Sequence, residues 1–376
     1  MTPMRVLILG GYGFFGARLA ERLARQDGLH LILAGRSAER ARTQIEELGP
    51  AAASTLEALS LDLCAPDFPA QLARISPQVV VHTSGPFQGQ DYRVAQACID
   101  GRVHYVDLAD GRAFVAGIEV LDADARRAGV AVISGASSVP ALSSAAADWL
   151  ARGLAQVELI DIGISPGNRT ERGLATMEAV LSYCGQPLPG TGDAAMGPWG
   201  WSGVRSHRYP APVGSRLLSP CDVPDLALLP ARYAGHPEVR FGAGLELRLL
   251  HRAMNVMAWM TRRGLVTNWA AHARPLKRIA DLVRHLGSDA GAMHVAVTGR
   301  APDGNRMTRQ WQLLALEGDG PYVPTLAAAA LVRKLRDGDT ALAPGARACL
   351  GMLSLEDFAR EAQGLRIAFS TTPADP

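Results

Sequence analysis

Gly11, Gly13 and Gly16 stand in the spacing G-x-G-x-x-G directly after an apolar run, Val6 to Leu9. Between a strand and a helix that spacing has a physical meaning. The first glycine permits a tight turn, the second lets backbone approach a pyrophosphate, and the third lets helix pack on strand, leaving a diphosphate at the positive helix N-terminus. Phe14 and Phe15 open that helix and belong to the same site. An NAD site carries Asp or Glu about 20 residues further on, for the ribose 2′-hydroxyl. Here the chain reads Ala34-Gly35-Arg36-Ser37, with no carboxylate before Glu39. A planar guanidinium meets two oxygens of a 2′-phosphate, so Arg36 and Ser37 point to NADP(H), the alternative being that Arg36 merely faces solvent. Asp62, ending the third apolar run, either accepts from the adenine amine or caps the next turn. Thr83-Ser84-Gly85-Pro86-Phe87 follows the fourth run, where a nicotinamide ribose would pass, so Ser84, Gly85 and Pro86 are expected cofactor contacts, the alternative being that Gly85-Pro86 is an ordinary turn.

Acid–base candidates are fewer. Only Lys277 and Lys334 are lysines, and neither has a tyrosine four residues before it, so the Tyr-x-x-x-Lys pair of short-chain dehydrogenases does not exist here. H-E-x-x-H, P-loop and nucleophile-elbow sequences are also absent. His30, His82 and His104 lie on or beside expected strands and read as packing residues. His104-Tyr105-Val106-Asp107 ends the fifth strand on the ligand-bearing edge, so Tyr105 and Asp107 are the catalytic candidates, with Asp107 as a turn cap the competing reading. Further on, Trp199, Trp201, Arg205, Asp222 and Asp225 supply flat apolar surface and fixed polar groups, the make-up of a small-molecule pocket, with a loop packed on the domain seam the competing reading. Trp201 and Arg205 are the substrate candidates. No metal site is expected.

These residues need a scaffold, and the apolar pattern specifies one. Short runs recur at Val6 to Leu9, Leu29 to Ala34, Leu56 to Leu61, Val79 to His82, Val103 to Val106 and Val130 to Ile133, with helical patterns such as Phe14 to Arg25, Val94 to Asp100 and Ala116 to Arg127 between them. This alternation specifies an α/β fold, an N-terminal Rossmann doubly wound parallel sheet. The expected domains are residues 1–140 for NADP binding, 141–320 as a mixed α+β substrate or dimerisation domain, and 321–376 as C-terminal helices packing back on the first. In the second domain a helix is expected from Ala141 to Gly153, strands at Val157 to Ile164, Val239 to Leu249, Met293 to Thr298 and Arg309 to Leu316, and an irregular region from Gly185 to Pro237. The chain leaves the first domain at Pro140 on the ligand-bearing edge, so the substrate is expected to be held by both domains.

Composition narrows the partners. The chain has 376 residues and 48% apolar content, ample for two or three domains, and 38 basic residues nearly cancel 36 acidic ones. Nothing in that balance calls for a nucleic acid. Five scattered cysteines, never in C-x-x-C, argue against disulfides and structural zinc and suit a reducing cytoplasm. Neither a signal peptide nor a transmembrane segment is expected. The stretch Leu249 to Val266 is interrupted by His251, Arg252, Arg262 and Arg263, which a buried amphipathic helix explains better than contact with a membrane. A small-molecule substrate is expected, and a homodimer is allowed for.

The chain also resembles a family, the saccharopine dehydrogenase-like oxidoreductases. The resemblance rests on Gly10-Gly11-Tyr12-Gly13-Phe14-Phe15-Gly16, Ala34-Gly35-Arg36-Ser37, Gly85-Pro86-Phe87, Ala97-Cys98-Ile99 leading to His104-Tyr105-Val106-Asp107, and Gly135-Ala136-Ser137-Ser138-Val139-Pro140. Cys221-Asp222-Val223-Pro224-Asp225-Leu226 and Pro344-Gly345-Ala346-Arg347-Ala348-Cys349 extend it over nearly the whole chain. It implies an NADP(H)-binding Rossmann domain and a second domain whose sheet helps close the cleft. It also implies hydride transfer to or from a carbon–nitrogen bond. Many members carry an acid at the position of Ser137, and Gly-Glu where this chain has Asp110-Gly111. Other members resemble trans-acting enoyl reductases of lipid synthesis, which extends the expected chemistry from C=N and C=O to C=C bonds. The competing reading is an NADP-binding redox sensor or scaffold without turnover.

Overall fold

The computed structural model describes residues 2–189, 196–339 and 342–373. The chain begins β1 (Met4–Leu9), α1 (Phe14–Ala24), β2 (Leu29–Gly35), α2 (Ala38–Leu48), β3 (Thr55–Ser60), α3 (Phe68–Ile75), β4 (Val79–His82), α4 (Arg93–Asp100), β5 (His104–Asp107), α5 (Arg112–Gly117), α6 (Asp122–Ala128) and β6 (Ala131–Ser134). It continues with α7 (Ser143–Ala151), β7 (Gln156–Ser165), α8 (Leu174–Ser182), β8 (Pro187–Pro189), β9 (Met196–Trp199), β10 (Arg205–Arg208), β11 (Ser215–Pro220), α9 (Asp225–Arg232), β12 (Glu238–Ala243), α10 (Arg248–Arg262) and α11 (Ala273–Leu282). The last elements are β13 (Gly291–Arg300), β14 (Arg306–Ala315), α12 (Val323–Arg336), β15 (Gly345–Ala348), α13 (Leu355–Glu361) and β16 (Ile367–Pro373). Two compact units result, Met1–Leu142 with Tyr322–Glu361, and Ser143–Pro321 with Ala362–Pro376.

The first unit is a seven-stranded sheet in the order β15-β6-β5-β4-β1-β2-β3, every pair parallel. Its central strands are short apolar runs because both faces are covered. All four residues of β4 and of β6 are buried, and α1 turns Leu19, Ala20, Leu23 and Ala24 inward. The chain order reverses between β1 and β4, which opens a crevice at the strands' carboxyl ends. After the second unit the chain returns as α12, which packs on α1. Arg333 of α12 holds α13 through Asp357 at 2.9 Å and Glu361 at 2.8 Å.

The second unit is built on a mixed sheet, β10-β11-β12-β7-β13-β14-β16, in which only β12 and β7 are parallel. Strict alternation divides its two faces. Ile160, Ile162, Val295, Val297, Trp311 and Leu313 form the buried apolar face, against which α7 packs. Asp161, His294 and Gln312 point to the opposite, polar face. Among its described residues, the stretch expected to be irregular, Gly185 to Pro237, carries four short strands and α9 instead. Strands of three to six residues with partners far away leave little period to read. The strand expected to reach Leu249 stops at Ala243, and α10 starts at Arg248.

Asp225, the first residue of α9, is fully buried and accepts a hydrogen bond from Ser143 Oγ. Burial pushes its carboxyl up to about 7. A carboxyl raised on folding is protonated more readily in the native state, so its contribution to stability is fully present at low pH and is lost as pH rises through 7. Relative to Asp225→Asn, the parent should therefore gain stability as pH falls from 8 to about 5, by at most about 1.4 kcal/mol per pH unit. Urea denaturation of both proteins across that range checks this. Parallel pH profiles would contradict it.

Candidate functional site

The glycine turn after β1 is held by its own backbone. Gly10 and Gly11 both donate to the Ala34 carbonyl of β2, at 2.8 and 3.1 Å, and Gly13 donates to Gly10 O at 2.7 Å. Gly10 has φ +80°, and a Cβ there would lie 2.6 Å from Ser84 Oγ. A Cβ on Gly16 would lie 2.0 Å from Gly10 O, so only glycine lets α1 start this close to the turn. Gly13 caps α1 without a side-chain hydrogen bond, and the first turn holds no acid. The first-turn N–H groups of Phe14, Phe15 and Gly16 have no partner within the helix, and with its dipole they make a site for an anion. These residues fit a dinucleotide's pyrophosphate.

The loop after β4 is fastened to this turn. Thr83 Oγ1 donates to Leu9 O at 2.8 Å, and Gln90 Nε2 reaches back to the carbonyls of Ser84 and Pro86 at 3.0 and 2.6 Å. Ser84 thus lies against the glycine turn, next to the β1/β4 switch point, and is followed by Gly85 and Pro86.

At the end of β2 the structure adds two residues that the sequence reading missed. Tyr12, an intervening position of the glycine motif, accepts a hydrogen bond from Ser37 N at 2.8 Å, and Gly35 leaves room for its ring. Ser37 caps α2 by accepting from Arg40 N, and the Arg40 guanidinium lies 4.8 Å from the Tyr12 ring centroid. Arg36 is exposed, and neither it nor Arg40 is in an ion pair among the described residues. Two uncommitted guanidiniums beside a helix N-terminus suit a phosphate monoester. Asp62 accepts from Cys64 N at 2.9 Å, the turn-capping alternative.

The two catalytic candidates are both committed elsewhere. Tyr105, 1% exposed, is part of the sheet's core, where its hydroxyl meets His82 Nδ1 at 3.2 Å. Burial raises its pKa well above the phenol range and lowers His82 to about 4, so both stay neutral. As placed, Tyr105 offers nothing to a ligand, because β5 is covered on both faces. Asp107, fully buried, accepts from Ala109 N at 2.9 Å, Gly135 N at 2.8 Å and Ser134 Oγ at 3.0 Å. It is a turn cap that also clamps β5 to β6. Burial raises its carboxyl to about 6 against those hydrogen bonds.

In the second unit Trp201 and Arg205 have different surroundings. Trp201 is 2% exposed, with φ 57°, its ring 5.5 Å from that of His251 and its carbonyl taken by Asn255 Nδ2 at 2.8 Å. It is a core residue here, which corrects its reading as a face open to substrate. Arg205 reaches the sheet's polar face, where it donates to Asp161 at 2.6 Å and Ile162 O at 2.9 Å. Beside this pair His207 stacks on His294, ring centroids 3.6 Å apart, and Tyr209 meets His294 Nδ1 at 2.9 Å. Burial, then the neighbouring His294, lowers His207 to about 4, and burial also lowers His294, so two neutral rings stack. Burial would raise Asp161, but His294 and Arg205 outweigh it and hold the carboxylate low. Gly163 provides the space, since a Cβ there would lie 2.3 Å from His294 Cε1. Trp199 lies under Arg262, and Asp225 binds Ser143, so Trp199, Trp201, Arg205 and Asp225, read together in sequence, have separate partners.

With this geometry in hand, comparison with known proteins gives the class. Residues 6–133 match the family model of the saccharopine dehydrogenase NADP binding domain. Saccharopine dehydrogenase (L-Glu forming) from Saccharomyces cerevisiae, solved in apo form, covers 98% of this chain and 100% of its own at 15% identity, with a TM-score of 0.64. That likeness establishes the two-unit fold. Amine dehydrogenase from Mycobacterium smegmatis is a looser match, 10% identical over 92% of this chain and 94% of its own, with a TM-score of 0.48. Among curated proteins none matches by sequence. Over residues 6–133 the first unit is thus similar to the NADP-binding domain of saccharopine dehydrogenases. That unit is an NADP(H)-binding domain.

Removing either arginine at the end of β2 should discriminate between cofactors. Arg36→Ala and Arg40→Ala should each weaken NADP⁺ about tenfold, equivalent to about 1.4 kcal/mol, and leave NAD⁺ nearly unchanged. Calorimetric titration of both cofactors checks this. Equal losses for the two would place the 2′-phosphate elsewhere.

Proposed function

We propose that the protein uses NADPH to reduce a C=N, C=O or C=C bond of a small or lipid-like substrate, or in reverse uses NADP⁺ to oxidise the corresponding single bond. The observation that carries this reading is the uncapped, acid-free start of α1 behind the glycine turn, with Arg36 and Arg40 at the end of β2. When bound, the cofactor supplies the hydride. The chain's own part is to hold it. The N–H groups of Phe14, Phe15 and Gly16 take the pyrophosphate, Arg36, Ser37 and Arg40 the 2′-phosphate, and Ser84, Gly85 and Pro86 flank the nicotinamide ribose. Thr83 and Gln90 stiffen that last loop through their hydrogen bonds to backbone carbonyls. Asp107 positions the ends of β5 and β6.

Substrate recognition is assigned to the second unit, with Arg205 and its partner Asp161 on the polar sheet face as its fixed charges. Half-exposed His207, stacked on His294, is a neutral donor or acceptor beside them. One observation favours a second reading, binding of NADP(H) without turnover. Tyr105 and Asp107, the acid–base candidates of the first unit, are buried and hydrogen-bonded within the protein.

Consumption of NADPH, followed by its absorbance against a panel of imines, 2-oxo acids and enoyl thioesters, tests the proposal. At least one class should be turned over, and Arg205→Ala should lower kcat/KM about tenfold or more while leaving NADPH affinity unchanged. Tight NADPH binding with no turnover of any class would favour the sensor reading.

A further inference from the structure

Nine large apolar side chains are exposed among the described residues, and seven of them fall between positions 249 and 286. In α10 these are Leu249, Val256 and Trp259, at 81%, 55% and 50% exposure. Leu265 follows in the connection, and Ile279, Leu282 and Leu286 lie in and just after α11. The sequence pattern suggested a buried amphipathic helix here. The helix is present, but the face carrying these residues is uncovered.

The same stretch is the most basic part of the chain. Residues 248–286 hold eight Lys and Arg against one acid, Asp281, whereas the rest of the chain holds 30 against 35. Asp281 is already taken by Lys277 at 2.7 Å. Among the described residues none of the seven arginines is in an ion pair. Along α10, Leu249, Arg252, Val256, Trp259 and Arg263 follow one another at helical spacing, so apolar and cationic groups interleave on one face, with the Arg263 guanidinium 5.4 Å from the Trp259 ring centroid. The other face is anchored. Ala258 is fully buried, His251 meets Ser219 Oγ at 2.9 Å, Asn255 holds the Trp201 carbonyl, and Trp269 Nε1 reaches back to Met257 O at 3.0 Å.

We propose that α10 and the segment running through α11 dock on the surface of an anionic lipid bilayer, with the apolar side chains entering the headgroup boundary and the arginines meeting phosphates. Charge chooses this occupant. A second copy would bring eight positive charges against eight with one acid each to offset them, and nucleic acid would leave Leu249, Ile279 and Leu282 with nothing apolar to cover them. An interface of lipid tails beneath anionic headgroups satisfies both sets. No helix of the described residues is long and apolar enough to cross a membrane, so the contact lies on the surface. This inference is independent of the substrate reading.

Sedimentation of the full chain with vesicles tests it. The protein should pellet with phosphatidylcholine vesicles containing phosphatidylglycerol, and about tenfold less with pure phosphatidylcholine or at high salt. Leu249→Ser with Trp259→Ser, and separately Arg252→Glu with Arg263→Glu, should each abolish pelleting while keeping the rise in Tm on adding NADP⁺, which reports that the fold is intact. Should one pair unfold, the other alone decides. Binding by the intact variants equal to the parent's, or equal binding to both vesicle types, overturns the proposal. So does a parent that ignores vesicles, whether it forms a dimer that these substitutions dissociate or it retains RNA through the same arginines.

Discussion

The contact between Gly10 O and the start of α1 governs the first unit. Because Gly16 lacks a side chain, the helix begins close to the turn that follows β1 and to Thr83, which follows β4. Gly13 must cap it for the same reason, since a Cβ there would lie 2.9 Å from that carbonyl. A side chain at Gly16 would push α1 away from the turn, and Thr83, whose Oγ1 would lie 2.7 Å from the added carbon, would have to yield too. The loop carrying Ser84 to Pro86 is therefore placed by the same close packing that builds the anion site. Cofactor geometry and sheet geometry are one constraint.

The parallel strands of the first unit were legible because a strand buried on both faces is a short unbroken apolar run, which β4 and β6 are. That same property hid the meaning of Tyr105. In such a strand a polar side chain near the carboxyl end can belong to the core, and pairing with His82 lets the Tyr105 hydroxyl do so. Asp107 shows the same ambiguity, resolved by three donors that only the folded ends of β5 and β6 bring together. Arg36 was legible from its place after β2. Arg40 and Tyr12 were not, because their relation runs through a ring stacked across the turn.

Less of the second unit was readable. Its polar cluster joins Asp161, His207, Tyr209 and His294 from three strands and a loop, and no spacing in the chain announces it. Gly163 is the one local sign, a glycine inside a strand where a neighbour approaches closely. Trp201 was misread because a tryptophan in a segment rich in glycine and proline suggests a pocket wall, whereas its left-handed backbone turns the ring inward against His251. In α10 the period of a helix was plain, but period alone does not say whether a partner covers the apolar face.

The central claim is that one dinucleotide lies across the glycine turn with its 2′-phosphate between Arg36 and Arg40. A crystal structure of the NADP⁺ complex tests it most directly. The account predicts the pyrophosphate within about 3 Å of the N–H groups opening α1, both guanidiniums on the 2′-phosphate, and the nicotinamide ribose beside Ser84 to Pro86. A cofactor bound with its pyrophosphate away from Phe14 and Phe15, or with its 2′-phosphate free of both arginines, would contradict it.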